Sequence, residues 1–210
     1  MKYFVKSEFD SSSKKSLVII FGNVYDLTKI IFENIAKREI EPLIKHAGKD
    51  ISHWFNKVNF DVRYCYNEYK GLFEPYVPQD RFLHVPPDMP TSDWNSSMDK
   101  PWWQDENLIV GKVTQLEVYL MITNTLNSHC QRLIVCIEEK FKDIKLRYSF
   151  YNRHASSYTW KYNGRVVDME GTLEENEIPI DIERLESLRI DPRRYPIQLL
   201  LYFNDDLTVV

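Results

Sequence analysis

VYDLTKIIFENIAKREIEPLIKHAGKDISHWF, residues Val24 to Phe55, is the most informative run in the chain. Val24 and Tyr25 read as the end of a strand, and Asp26, Leu27 and Thr28 as an Asp-led turn into a helix. A second polar turn, Ala47 to Asp50, starts another helix that ends in Trp54 and Phe55. Asp26 and Asp50 are both candidate N-caps, because a short carboxylate accepts the unpaired N–H groups of a first helical turn. Between them Ile30, Ile31, Ile35, Ile40, Leu43 and Ile44 recur at roughly helical spacing. Pro42 breaks that pattern, since proline has no N–H to donate and crowds the preceding turn. The run predicts the helical wall of a cleft.

Working outward, Tyr3 to Phe9 alternates like a strand, and Leu17 to Phe21 is an apolar, β-branched run that Gly22-Asn23 turns back toward Tyr25 as a hairpin. On the other side, Asn56 to Gln79 carries Phe60, Tyr64, Tyr66, Tyr69, Phe73 and Tyr76. Aromatic clusters of this kind fill cores or line the cleft of a flat ligand, and core filling is the expectation here. Arg81 to Val85 reads as a strand ended by Pro86-Pro87.

From Asp88 to Asn107 the composition shifts to Pro, Ser and Asp without periodicity, which predicts a domain joint. Trp94, Trp102 and Trp103 are too large and apolar for a solvated tether, so they either pin the joint onto the domains or dock a partner. The expected organisation is α+β, with a first domain over 1–87, a Trp-rich linker over 88–107 and a second domain over 108–210.

The second half has its own rhythm. Gln115 to Asn124 is a strand, Leu126 to His129 a turn and Cys130 to Val135 a returning strand. Ile137, Phe141, Ile144 and Tyr148 mark an amphipathic helix. Tyr158 to Tyr162 leads into Asn163-Gly164, a strong hairpin-turn signal. Thr172 with Glu175 makes a capping box, and Ile197 to Phe203 is a buried final strand.

The chain has 210 residues, 27 Lys and Arg against 31 Asp and Glu, and a formal net charge of −4, which removes the electrostatic basis for nucleic-acid binding. Three cysteines, Cys65, Cys130 and Cys136, with no CxxC spacing predict reduced thiols, two of them buried. The N-terminal residues lack a signal peptide's apolar core and no apolar run reaches membrane-spanning length, so no membrane partner is expected. No Ser/His/Asp set, phosphate loop, HExxH or paired carboxylates stand out, so the chain is not expected to be an enzyme.

The VYDLT of Val24 to Thr28 and the AGxD…F of Ala47, Gly48, Asp50 and Phe55 resemble the cytochrome b5 haem-binding domain. That resemblance implies a cleft for haem b between two helix pairs, each offering one His to the iron. Here the first axial position falls on Asn34; the second falls near Phe60 by the count of cytochrome b5 itself and, in a closer subfamily, ten residues after Phe55, on Cys65. Asn is a poor iron ligand, and Cys thiolate would give the iron different electronics from His. His53 and His46 are the nearest imidazoles in sequence, while His84 reads as structural. In the steroid-binding relatives of b5 other side chains bind haem, and Tyr64 or Tyr66 would then serve.

Hairpin, helix, strand, Asn-Gly-Arg turn, Thr-Leu-led turn and final strand is the order of a ubiquitin-like β-grasp, and YNGRVVDMEGTLEENEI (Tyr162 to Ile178) resembles the ubiquitin-like segment. No Gly pair follows the last strand, so conjugation to targets is not expected.

RFLHVPPDMP (Arg81 to Pro90), KPWWQ (Lys100 to Gln104), ASSYTWKYNG (Ala155 to Gly164), TLEENEI (Thr172 to Ile178) and LLYFNDDLT (Leu200 to Thr208) together resemble the cytochrome b5 domain-containing protein 1 family. What that resemblance implies is a structural subunit of the ciliary axoneme, partnered by radial spoke proteins. Its alternative is a haem-dependent electron carrier or redox sensor acting on motility, which needs an iron ligand among Cys65, His53 and His46.

Overall fold

The computed structural model describes residues 2–5, 9, 16–87 and 100–204, which form mixed α and β structure with three sheets. The chain divides into two units, Met1–Val113 and Thr114–Val210.

In the first unit β1 (Tyr3–Phe4) is followed by the hairpin of β2 (Leu17–Ile20) and β3 (Asn23–Asp26). Its two turn residues are Phe21 and Gly22, with φ of 48° and 79°, the left-handed pair that a type I′ hairpin turn requires. The turn thus sits one residue before the expected Gly22-Asn23. Helix α1 (Thr28–Glu33) is short, and a 3₁₀ turn over Arg38–Ile40 runs directly into α2 (Glu41–Lys45). Pro42, read from sequence as a breaker, lies in the first turn of α2, where its missing N–H has no partner to lose.

A 3₁₀ turn over Ser52–Trp54 replaces the second expected helix, and β4 (Tyr64–Asn67) pairs with β5 (Leu72–Pro75) as a separate hairpin. Arg81–Val85 is not a strand. Its Leu83 N–H donates to the Glu39 carbonyl at 3.0 Å, and His84 takes a φ of 73°, so the segment winds along the core while burying Phe82, Leu83 and Val85.

The largest departure is at the expected linker. A 3₁₀ turn over Trp102–Gln104 leads to β6 (Ile109–Val113), which lies between β3 and β1 in the sheet order β1-β6-β3-β2, antiparallel to the former and parallel to the latter. Residues 100–113 are therefore part of the first unit, and the division falls between Val113 and Thr114. The cause is burial: Trp102 and Trp103, 2% and 4% exposed, pack with Trp54, Phe55 and Phe82. The Trp102 indole N–H donates to the Leu83 carbonyl at 3.1 Å. Of the two fates open to these tryptophans, the structure gives intramolecular pinning, and neither is a docking surface; Trp94 lies outside the described residues. Gly111 is needed where β6 meets the N-terminal strand, because a Cβ there would stand 2.3 Å from the Lys2 carbonyl oxygen.

The second unit follows the sequence more closely. Its elements are β7 (Glu117–Asn124), β8 (Cys130–Cys136), α3 (Phe141–Tyr148), β9 (Tyr158–Tyr162), β10 (Arg165–Val166), α4 (Ile182–Ser187) and β11 (Ile197–Phe203). Burial alternates along β7, the pattern of a strand with one covered face. The sheet order is β10-β9-β11-β7-β8, with β11 parallel to β7 at the centre. Helix α3 buries Phe141, Ile144 and Tyr148 against Trp160, Leu120 and Leu199. Asn163 and Gly164 turn with φ of 46° and 82°, and Thr172 and Glu175 cap each other, Thr172 N–H donating to Oε2 at 2.7 Å and Glu175 N–H to Oγ1 at 3.3 Å. Helix α4 and the 3₁₀ turn over Pro192–Arg194 are additions that the sequence reading did not contain.

Only Cys136 is buried; Cys65 and Cys130 are exposed, so the expected majority of buried thiols is reversed. Burial, with Glu139 alongside, pushes the Cys136 thiol up to about 12. No helix among the described residues is long and apolar enough to cross a membrane.

Candidate functional site

The residues of the two b5-like signatures build the framework of the first unit. Val24, Tyr25 and Leu27 are buried, and the Tyr25 hydroxyl donates to the Trp103 carbonyl at 3.3 Å. Burial, and then Glu106, holds that phenol above its ordinary range. Asp26 Oδ1 accepts the Thr28 N–H at 2.9 Å, and Asp50 Oδ1 accepts the Ser52 N–H at 2.8 Å. Each carboxylate therefore meets a first-turn donor, although the residue after it occupies the N-cap position. Gly48 donates to the Leu17 carbonyl at 2.7 Å and Ile51 to the Ile19 carbonyl at 2.9 Å, so the Ala47–Ile51 run lies along β2. With φ of 83° and the Phe9 carbonyl oxygen 2.9 Å from where a Cβ would stand, position 48 admits only glycine without strain.

The expected axial positions have other duties. Asn34 closes α1: its backbone N–H and its Nδ2 both donate to the Ile30 carbonyl, at 3.1 and 2.9 Å. His53 is exposed, with its ring edge against Trp54 and Tyr76 at centroid distances of 6.1 and 6.4 Å. His46 donates from Nδ1 to the Pro42 carbonyl at 2.9 Å and meets Trp54 edge-on at 4.7 Å. His84 is structural, as the sequence suggested: its Nδ1 accepts the Trp102 backbone N–H at 3.0 Å. Burial, with Lys37 adding to it, lowers the His84 pKa.

The β4–β5 register separates the remaining candidates. Cys65 pairs with Glu74, Tyr64 with Pro75 and Tyr66 with Phe73. Residues directly opposite share a face and successive residues alternate, so Tyr64, Tyr66 and Phe73 lie on one face and Cys65 and Glu74 on the other. The Tyr66 and Phe73 rings pack at 5.2 Å, while Glu74 is held by Asn67 at 3.0 Å and Lys70 at 2.5 Å. Those two partners, Lys70 first, hold its carboxyl below the usual range. A single cleft can thus be served by Cys65 or by the tyrosines, not by both. Phe60, Tyr64, Tyr66, Tyr69 and Phe73 are all exposed, which corrects the expectation that this cluster fills the core. Tyr64, Tyr66 and Phe73 stand on a two-stranded hairpin and Phe60 and Tyr69 on turns beside it, and among the described residues no layer packs over them.

These side chains do not fit a haem iron held by two imidazoles. The first position carries a carboxamide already committed to its own helix, and the second an exposed thiol that shares its face with a carboxylate. Among the described residues no three His, Cys, Asp or Glu side chains gather in a way that could hold a metal ion. What the region offers chemically is apolar and aromatic surface, including Phe32 and Ile35, 79% and 69% exposed, on either side of Asn34 in sequence.

No protein-family model matches the chain. It is similar to proteins named for a cytochrome b5 domain. Cytochrome b5 domain-containing protein 1 of Xenopus laevis is 42% identical over 191 residues, covering 91% of this chain and 88% of the relative. The human protein of the same name is 39% identical over 209 residues, covering 99% and 92%, and the mouse protein is 38% identical over the same length. The chain belongs to the cytochrome b5 domain-containing protein 1 family.

Proposed function

We propose that this protein is a non-catalytic structural and interaction subunit of the ciliary axoneme, located at the radial spoke and bound there to other spoke proteins. In this reading its first unit is a b5-like domain kept as architecture, and its second is a ubiquitin-like β-grasp used for docking. Support for the second comes from the parallel pairing of β7 with β11 at the centre of the sheet and from the Asn163-Gly164 turn. The observation that carries the reading is Asn34, whose carboxamide closes α1 on the Ile30 carbonyl where a cytochrome b5 presents an imidazole. The ciliary setting is what the resemblance implies, and family membership over nearly the full chain supports extending it to this protein.

The test has two arms. Purified protein titrated with haemin, oxidised and reduced, is expected to show no sharp stoichiometric Soret band, and tagged protein is expected to stay with axonemes after detergent extraction. A stoichiometric band that shifts on reduction would replace this reading with the haem-dependent redox one. Tagged protein found away from axonemes would remove the spoke role whatever the spectrum.

A further inference from the structure

The second unit carries a groove to which the proposed docking role assigns no partner chemistry, formed where the segment from Pro179 to Ile197 lies beside β7 and β9. Its central depression holds about 270 Å³ and is lined by Tyr119, Tyr162 and Tyr195 with Ile182 and Leu185. A second depression, about 430 Å³, shares Tyr119, Ile182 and Pro192 with the first, and a third, about 330 Å³, shares Tyr162 and Pro179. Their shared walls set the three open depressions side by side, a shape suited to an extended chain more than to a compact small molecule.

The charge along it is mostly acidic. Asp181 lies in the central depression, Glu117, Glu186 and Asp191 line the second together with Arg193, and in the third Arg165 pairs with Glu177 at 2.8 Å. Arg193 is already hydrogen-bonded to Tyr119 and faces Asp191. Asp181, at the start of α4, makes no side-chain cap bond, and among the described residues neither it nor Glu186 has an ion-pair partner. An uncommitted carboxylate beside three tyrosine rings, one of them Tyr195 at 62% exposed, matches a cation on a long aliphatic stem: the rings take the stem and the face of the cation, the carboxylate its charge.

We propose that this groove docks an extended segment of a partner protein in which an arginine or lysine is flanked by apolar residues, the cation meeting Asp181 among Tyr119, Tyr162 and Tyr195. The site stands independently of where in the cell the protein resides.

The probe is a synthetic peptide, acetyl-Pro-Leu-Pro-Arg-Leu-Pro-amide, added to the isotope-labelled full chain and followed by amide NMR shifts. Its control is the same peptide with Asp in place of Arg. The expected result is a set of saturable shifts confined to 116–119, 162–167, 176–186 and 191–197, several-fold weaker or absent with the control. Asp181→Asn is expected to weaken binding about threefold to fivefold, the range of an exposed ion pair, and Tyr195→Ala about tenfold. Both positions are exposed, so an unchanged spectrum of the free variants checks that they fold. Shifts elsewhere, equal binding of the two peptides, indifference to Asp181→Asn, or no shifts with the arginine peptide in large excess would each overturn the proposal. Peptide-independent shifts that grow with protein concentration would assign the groove to a second copy of the chain and overturn it as well.

Discussion

Within the second unit the core residues come from strands that announce themselves: β7 alternates buried and half-buried along its length, and Val118, Leu120 and Ile122 meet Phe141, Ile144 and Trp160 across one sheet face. The first unit adds to Val18, Ile20 and Tyr25 of its strands a core gathered largely from turns. Trp54 comes from a 3₁₀ turn, Phe82 and Leu83 from irregular chain, and Trp102 and Trp103 from another 3₁₀ turn that follows a Pro- and Ser-rich stretch. Both cores close around tryptophan, but only one is built by a periodic pattern. The difference teaches that composition marks a linker only when its large apolar residues have nowhere to go; here they have a core waiting.

The comparison breaks most sharply under truncation. A chain ending at residue 107, the boundary that composition suggests, lacks β6 and is expected not to fold, whereas one ending at 113 is expected to give a dispersed amide spectrum; among the described residues β6 is the only partner of β1 and one of two neighbours of β3. Folding of the shorter chain would mean that residues 108–113 are peripheral.

Trp102→Ala empties a site 2% exposed and is expected to lower the stability of the first unit by about 3–5 kcal/mol, read by denaturation followed at its own amides. Trp160→Ala should do the same to the second unit. Phenylalanine sharpens the contrast. Trp102→Phe strands the buried Leu83 carbonyl, whereas among the described residues the Trp160 indole N–H has no partner to lose, so the first substitution is expected to cost about 1–2 kcal/mol more than the second. Equal losses would show that the Trp102–Leu83 bond contributes nothing net.

The smallest effect is a pH dependence confined to the first unit. Neutral His84 accepts the Trp102 N–H, and burial holds its pKa below the ordinary 6.5. As pH falls below 6.5 the unfolded chain takes up the proton before the folded one does. The stability that depends on neutral His84 is thus complete above that value and is lost as pH falls toward the lowered folded pKa. His84→Asn keeps an acceptor without the titration, so melting curves between about pH 7.5 and about pH 5 should be flatter for the variant. An unchanged slope would place the effect elsewhere.

How far the fold could be read from residues follows the same divide. Asn163-Gly164, the Thr172–Glu175 box and the spacing of Phe141, Ile144 and Tyr148 act locally, and each is where the sequence placed it. The Asn56–Gln79 aromatics and Arg81–Val85 were misjudged because their environment is set by chain far away, or by its absence. At the candidate cleft, Asn34 and Cys65 could be located by counting from the signatures. Their commitments could not: the Ile30 carbonyl that takes the Asn34 amide and the strand register that turns Cys65 toward Glu74 are products of folding. The groove of the second unit gave less still, since the prolines at 179, 192 and 196 mark irregular chain without showing what it encloses.

The position of β6 also sets an order of events. Asn23 pairs with Lys112 and Val24 with Gly111, so the sheet that begins at Tyr3 is finished only by nearly the last residues of its unit. On a ribosome, β2, β3, α1 and α2 emerge long before the strand and the two indoles that cover them. For that interval the nascent chain presents one bare edge of β3 and an open aromatic pocket. The moment of greatest exposure to aggregation, and of greatest need for a chaperone, therefore falls during synthesis of residues 60–110, and it ends abruptly when β6 arrives.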